Sequence, residues 1–453
     1  MNSHKIDFFI SYEHKSRELE SILLIKLELE RRGYSVYING LYESTFDNYR
    51  QFKKLKPKVA IVPAAYDYGI LSCFAFNFVG LIDKVVNLQW EQVLTIKEEA
   101  DLNGYHNPKG IASQVIHLCW GEKTKERLIK SGIAPSNAIV TGPIHLDLLR
   151  PQFEGFFISK EKLSVMFNLD LSKKWILFVS SFSFCSISDL QFQNIAESYG
   201  EEDTNYFKNF SLESKSKILD WFELLLNEKK DRLIIYRPHP DEINKDSRLI
   251  ELENKYPNFR VISKYALKHW VKASDEIYNW YSTSMADIYF SNKPCKILRP
   301  VKIKPEQEVS IFTNAEFVTK YEDLTPKDDS LTNTTPLNNK IIEGYYDLKI
   351  DSKTCYNRIC DILEEVYRNK SYSIHFPKRL RIKEFINNFK VPIGNYLFSR
   401  IPTNSTLRKI SFIRNRIESR ERVTKWYKNS YSRSVAIEEE IKILESSLKA
   451  HLD

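Results

Sequence analysis

Apolar runs of strand length, each followed by a stretch with apolar residues at helical spacing, recur along most of this chain, and that alternation constrains its fold more than any other feature. Ile6–Ser11 ("IDFFIS") is such a run, and Arg17–Gly33 is a helical stretch that ends at a glycine. Tyr34–Ile38, Lys58–Ala64, Lys84–Gln89, Gln114–Gly121 and Ala138–Gly142 read as further strands. After a connecting stretch from Asp147 to Lys174 a second series begins. Lys174–Ser183 is a strand running into a hydroxyl-rich turn, and Ser214–Lys230 is a long helix. Leu233–Tyr236, Phe259–Ser263, Glu276–Ser291 and Pro294–Pro300 continue the alternation, and Lys353–Asn369 reads as a closing helix. Strands separated by helices predict parallel sheets with right-handed crossovers. The expected fold is therefore α/β, with a Rossmann-like domain over residues 1–150, a second over residues 151–370, and a helical tail over residues 371–453. The polar, proline-punctuated stretch from Thr325 to Asn339 reads as a surface loop.

The chain has 453 residues, 42% of them apolar, which is enough for full-sized cores. Its six cysteines are scattered without CxxC pairs, so reduced thiols, no disulfide and no structural metal are expected, as in a cytoplasmic protein. The longest apolar stretch, Ile70–Ile82, falls short of the roughly 18 residues needed to cross a bilayer. The charge is uneven. Residues 371–433 hold 15 Lys and Arg against three acids, a net of +12 against +8 for the whole chain, so the remainder carries −4. The basic character belongs to the tail.

Two places in the second series are suited to a phosphate. In "LIIYRPHPDE" an apolar strand runs into Arg237-Pro238-His239-Pro240, and each proline biases its predecessor toward extended backbone, so Arg237 and His239 are held at the strand's end. In an α/β sheet that is where ligands bind. In "WYSTSMAD" Ser282, Thr283 and Ser284 lie between a strand and a helix start, where unpaired N–H groups and hydroxyls favour an anion. His239 also reads as a buried histidine ending a strand, and the Ser-Thr-Ser run as a helix cap. Ser180 and Ser181, with Ser183, take the equivalent position one unit earlier, either as turn chemistry or as ligand contacts.

The pairing of "YRPHP" with the downstream "YSTSMADIYFSNKPC" resembles the His-Pro and Ser/Thr motifs of bacterial GT-B glycosyltransferases, among them sialyltransferases, capsule polymerases and β-Kdo transferases. It is also similar to the glycerophosphate and ribitol phosphate transferases of teichoic acid synthesis. "YEHKSRELESILLIKLELERRGYSVYI" and "CWGEKTKERLIKSGIAPSNAIVTGPIHLDLLRP" resemble the surface carbohydrate biosynthesis proteins, whose Val-Thr-Gly-Asn-Pro-like stretch here reads Val140-Thr141-Gly142-Pro143 without the asparagine. The resemblance spans roughly residues 5 to 370, and the order of motifs is more specific than any one of them. It implies a GT-B fold, two Rossmann-like domains facing a cleft, in which His239 and Ser282 to Ser284 bind the phosphate of a cytidine nucleotide donor. The implied activity is inverting transfer of a Kdo- or nonulosonic-acid-type sugar from a CMP-linked donor to a surface polysaccharide or lipid-linked glycan. Polyol phosphate transfer from a CDP-linked donor and transfer from a UDP-sugar are the alternatives.

Such a reaction needs stabilised negative charge on the leaving nucleotide, which fixed dipoles, Arg237 and His239 supply without metal or cofactor, and a base near the acceptor hydroxyl. Glu91, at the end of "VVNLQWEQ", is the candidate base, with Asp101, His106 and Glu13 as alternatives; Glu13, Arg17 and His106 are candidate acceptor contacts. The tail interleaves cations with Phe, Ile and Trp, which suits an anionic membrane surface and predicts a peripheral protein on the cytoplasmic face of the inner membrane. A solvated helix covering the body is the plainer reading. Nucleic-acid binding is the rival from another class, as is a non-catalytic assembly role, but no nucleic-acid motif is present and nucleic acid is not the expected partner. Ile437, Ile441, Leu444 and Leu448 at 4-3-4 spacing suit either a short seam between copies over residues 437–448 or a helix packed on its own body.

Overall fold

The computed structural model describes residues 5–40, 54–68, 70–71, 82–240, 242, 246–324, 336–348, 353–378, 406, 410 and 436–452. Most of the basic tail, most of the loop 325–339 and most of the apolar stretch 70–82 lie outside the described residues. Among the described residues no helix is long and apolar enough to cross a membrane.

Contacts divide the chain into two compact units. Unit 1 comprises Met1–Gln92, His106–Asp147 and Asp347–Leu452; unit 2 comprises Val93–Tyr105 and Leu148–Tyr346. The helix at 353–369, expected to close the second domain, thus belongs to the first unit, and Val93–Tyr105 is an excursion of the first series into the second.

Unit 1 is built on a parallel sheet of β1 (Phe8–Tyr12), β2 (Val36–Gly40), β3 (Val59–Val62), β4 (Val85–Asn87), β5 (Ile116–Cys119) and β6 (Ala138–Val140), in the order β2-β1-β3-β4-β5-β6. The strand order reverses between β1 and β3. β1, β3, β4 and β5 are buried along their whole length, as expected of parallel strands covered on both faces. Helix α1 (Glu20–Arg31) follows β1 through a wider π-type turn at Lys15–Leu19, a shorter helix than Arg17–Gly33 with a different entry.

Unit 2 holds the other parallel sheet: β7 (Lys174–Val179), β8 (Arg232–Arg237), β9 (Phe259–Val261), β10 (Glu276–Asn279), β11 (Cys295–Leu298) and β12 (Phe317–Val318), ordered β12-β11-β10-β7-β8-β9. Here the order reverses between β7 and β10. Its helices include α2 (Ile96–Ala100, on the excursion), α3 being a unit 1 helix at Glu122–Lys130, then α4 (Lys160–Phe167), α5 (Asp189–Tyr199) and α6 (Glu201–Glu228). α6 starts well before Ser214: Gly200 at φ +90° breaks the chain from α5, and Glu201, Glu202 and Asp203 place negative charge at the helix start. The unit closes with α7 (Ser247–Lys255), α8 (Leu267–Ala273), α9 (Met285–Phe290) and α10 (Asn339–Tyr345). Its core is aromatic, with Phe178, Phe182, Phe210, Phe222, Tyr236, Tyr278 and Trp280 buried together.

The chain then returns to unit 1 with α11 (Cys355–Arg368) and α12 (Glu438–Lys449), both packed on α1. Ile441, Leu444 and Leu448 of the 4-3-4 row lie on α12, which packs on α1, while Ile437 at its start is exposed. Leu448 is fully buried, Glu440 pairs with Lys15 and Glu445 with Lys26.

Candidate functional site

In unit 2 the register brings three loops to one line. Val179 of β7 pairs with Arg237 of β8 on one side and with Asn279 of β10 on the other. The chain beyond this row carries Ser180 and Ser181, then His239, then Ser282 to Ser284, all at the carboxyl edge beside the strand-order reversal. Adjacent strands lie about 4.8 Å apart, so the three loops start within roughly 10 Å.

The side chains in that row divide by what they touch. Asn279, buried, braces the serine loop from both sides: its Oδ1 accepts the Ser282 N–H (3.2 Å) and its Nδ2 donates to the Ser282 carbonyl (2.9 Å). The Ser282 hydroxyl accepts the Ser284 N–H at 3.3 Å, and Thr283 is exposed. The helix that follows has only six residues, and Ser284 makes no side-chain cap, so this run is a braced turn more than a helix terminus. The Ser181 Oγ is buried with no hydrogen-bond partner among the described residues.

Arg237 and Ser180 are engaged in other ways than the sequence predicts for phosphate ligands. The Arg237 guanidinium donates to the carbonyls of Lys264 (3.0 Å) and Tyr265, where Tyr265 holds a left-handed φ of +65°. It is a structural clamp for that turn. The Ser180 hydroxyl donates to Glu242 (2.7 Å) and meets the Tyr236 hydroxyl at 3.0 Å, inside a buried network. Lys215 of α6 completes it, 2.8 Å from Glu242 and 3.1 Å from Asp246. Burial works against the Lys215 charge, but the two carboxylates hold its pKa above the ordinary lysine value. The participants Glu242, Lys215, Tyr236 and Asn279 were not singled out from sequence, although Glu242 ends the very stretch "RPHPDE".

In unit 1 the second candidate cluster forms at the carboxyl ends of β1, β3 and β4, again beside the reversal of strand order. Tyr66 donates to Glu91 Oε2 (3.1 Å), His106 Nε2 lies 3.4 Å from the same oxygen, and Arg17 Nη1 lies 3.9 Å from Oε1. Arg17 also meets Glu18 at 2.6 Å and Glu13 at 3.2 Å, and the Glu13 N–H donates to Glu18. The structure thus brings together Glu13, Arg17, Glu91 and His106, residues spread over 94 positions of sequence. Glu18, fully buried, and Tyr66 are the members sequence reading missed; a carboxylate inside an apolar helix face was the available signal for Glu18. Asp101 is the remaining candidate base. It lies on the excursion in unit 2 and accepts the Asn103 N–H of its own turn.

Burial pushes the Glu91 carboxyl up, but His106, Arg17 and Tyr66 more than compensate and hold its pKa at about 2. A carboxylate that acidic is a weak proton acceptor, which disfavours Glu91 as the general base. Its geometry suits holding the His106 ring instead.

No protein-family model matches this sequence, and neither does any curated protein. Solved structures do. A protein assigned as a UDP-N-acetylglucosamine 2-epimerase from Listeria monocytogenes aligns over 82% of this chain and all of its own, at 13% identity and a TM-score of 0.51. The wall teichoic acid polymerase TagF aligns over 81% of this chain and 90% of its own, at 12% identity and a TM-score of 0.50. The likeness is one of fold: two Rossmann-like α/β units of the GT-B type.

Proposed function

We propose that this chain is a metal-independent, inverting glycosyltransferase that moves a Kdo- or nonulosonic-acid-type sugar from a CMP-linked donor to a surface polysaccharide or lipid-linked glycan. The observation that supports this most is the row Arg237–Val179–Asn279, from which His239, Ser181 and Ser282 to Ser284 extend at the reversal point of unit 2. Hydroxyls and main-chain N–H groups fixed there suit the charge that develops on a leaving nucleotide phosphate. The cluster of unit 1 suits an acceptor. Glu13 offers oxygens to sugar hydroxyls, and His106, held by Glu91, takes the acceptor proton. In the single displacement the acceptor oxygen bonds to the anomeric carbon, the bond to the CMP phosphate breaks, and the proton passes to His106. Contact of the basic tail, residues 371–433, with an anionic cytoplasmic leaflet belongs to the same reading and is read by sedimentation with anionic vesicles.

A second reading, polyol phosphate transfer from a CDP-linked donor, is favoured by the likeness to TagF, which has also been studied soaked with CDPG. The test is the thermal midpoint of the protein with CMP, CDP, UDP, GDP and ADP without metal, in the wild type and in His239→Ala. A ligand at a hundred times its Kd stabilises by about 2.7 kcal/mol, enough to read clearly. A shift with CMP above all others, lost in the variant, supports the first reading; a larger shift with CDP supports the second; UDP alone overturns the donor class.

A further inference from the structure

The Glu242 side chain is 1% exposed and receives a donor at every position that its two oxygens offer. Oε1 accepts Lys215 Nζ at 2.8 Å and the Tyr236 hydroxyl at 2.9 Å. Oε2 accepts the Ser180 hydroxyl at 2.7 Å and the main-chain N–H of His239 at 3.3 Å. The main chain answers in the other direction, the Glu242 N–H donating to the His239 carbonyl at 2.9 Å. The carboxylate is thereby fixed by the end of β7, by β8 and by α6, and it passes that position to one residue, His239.

We infer that Glu242 is a positioning residue for His239, setting the main chain of the Pro-His-Pro loop so that the imidazole meets the donor phosphate, a role that rests on the donor-site reading above. A carboxylate is required because all four partners donate. An amide of the same shape turns its NH₂ against two of those donors and leaves the His239 N–H without an acceptor. Lys215 does not by itself need Glu242, because Asp246 lies 3.1 Å from the same ammonium and is one-third exposed. What Glu242 adds is the second oxygen, directed at the loop. The flanking prolines Pro238 and Pro240 stiffen the loop, so one hydrogen bond at its centre fixes the main chain from which the ring projects.

The experiment measures CMP, CDP and cytidine affinity by calorimetry on the full chain as wild type, E242Q, H239A, E242Q/H239A and K215M/E242Q. The expected result is a loss of about tenfold or more in nucleotide affinity in E242Q, the size of a lost hydrogen bond to a buried charge. Cytidine, which has no phosphate, binds E242Q and wild type alike. On the H239A background E242Q adds less than about a factor of two, because the two residues act as one. K215M/E242Q, with no unpaired buried charge, recovers the thermal midpoint but not the affinity, and serves also if E242Q alone fails to fold. Unchanged nucleotide affinity in E242Q, equal losses for cytidine and nucleotide, or additive losses with H239A overturn the inference and leave the donor site standing. A wild type that binds neither CMP nor CDP overturns the donor site, and this inference with it.

Discussion

Gly142 and Arg358 meet so closely that a methyl group on the glycine would lie 2.5 Å from the guanidinium Nη2. The same Cβ would stand 2.7 Å from the Asp347 carbonyl and 2.7 Å from Cys355 Sγ, and Gly142 holds φ at +83°. The loop after β6 is thus fitted against the start of α11, where Asp147 also accepts the Tyr356 N–H at 2.7 Å. Gly142→Ala is expected to destabilise unit 1 by about 2–4 kcal/mol, combining left-handed strain with overpacking. Urea denaturation followed by far-UV circular dichroism reads it. A loss under 1 kcal/mol would mean that α11 is not seated on this loop.

Two buried or half-buried groups give stability a directional pH dependence. His117 is fully buried, its ring joined to Asn87 (3.0 Å) and to the Ala112 carbonyl (3.0 Å), and burial pushes its pKa down to about 4. Below about pH 6.5 the unfolded chain therefore takes up a proton that the folded chain refuses, and stability falls until about pH 4, by up to about 3 kcal/mol. Glu91, held at about 2, acts in a lower window: its contribution is present above about pH 4.5 and is lost as pH falls toward 2. Because that carboxylate is half-exposed, solvent screening leaves on the order of 1 kcal/mol. Chemical denaturation across pH 3 to 7 should show the upper slope vanish in His117→Gln and the lower one shrink in Glu91→Gln.

Arg299 and Glu308 form a buried pair at 2.9 Å in unit 2, and Arg299 also donates to the Trp280 carbonyl at 2.8 Å, just ahead of the Ser282–Ser284 turn. The ring of Phe317 covers the guanidinium at 4.9 Å. Removing one charge leaves the other buried and unpaired, so Arg299→Met is expected to cost about 3–5 kcal/mol. Replacing both, as Arg299→Met with Glu308→Leu, should recover more than half of that loss in equilibrium unfolding. Equal destabilisation in the single and double variants would show that the bond to Trp280, not the ion pair, is what matters.

The sheet strands were legible because parallel strands covered on both faces read as near-continuous apolar runs, as "WILFV" and "LIIY" do. β12 escaped because two residues, Phe317 and Val318, carry no period. The amphipathic face of α11, with Ile359, Cys360, Leu363 and Val366, announced a helix but not its partner, since any apolar groove could receive it; in the fold it lies against α1, with Cys360 Sγ on the Ile25 carbonyl. Chemistry-bearing residues were legible by type and position, and less so by direction. Arg237 stands where a phosphate ligand was expected, yet its guanidinium goes to carbonyls some 27 residues on, which depends on a left-handed Tyr265 that no local pattern shows. Glu91 was visible as a carboxylate at a strand end, whereas its acidity follows from Arg17, Tyr66 and His106, which only the folded sheet brings to it.

The docking of α12 is testable through its ion pairs. Glu445 lies 2.8 Å from Lys26 of α1, both mostly covered, while Leu448 is buried and Tyr12 accepts the Ala436 N–H at 3.0 Å. Burial opposes the Lys26 charge, but Glu445 and Glu30 hold its pKa above the ordinary value, so the lysine stays charged across the neutral range. Lys26→Glu sets like charges together and should lower stability by about 1 kcal/mol, and adding Glu445→Lys should restore most of it. Because the pair is within one chain, both effects should be independent of protein concentration, and light scattering should give one molecular mass for all three proteins. Rescue that appears only at high concentration, together with a mass that doubles, would instead place the Ile437–Leu448 row between two copies.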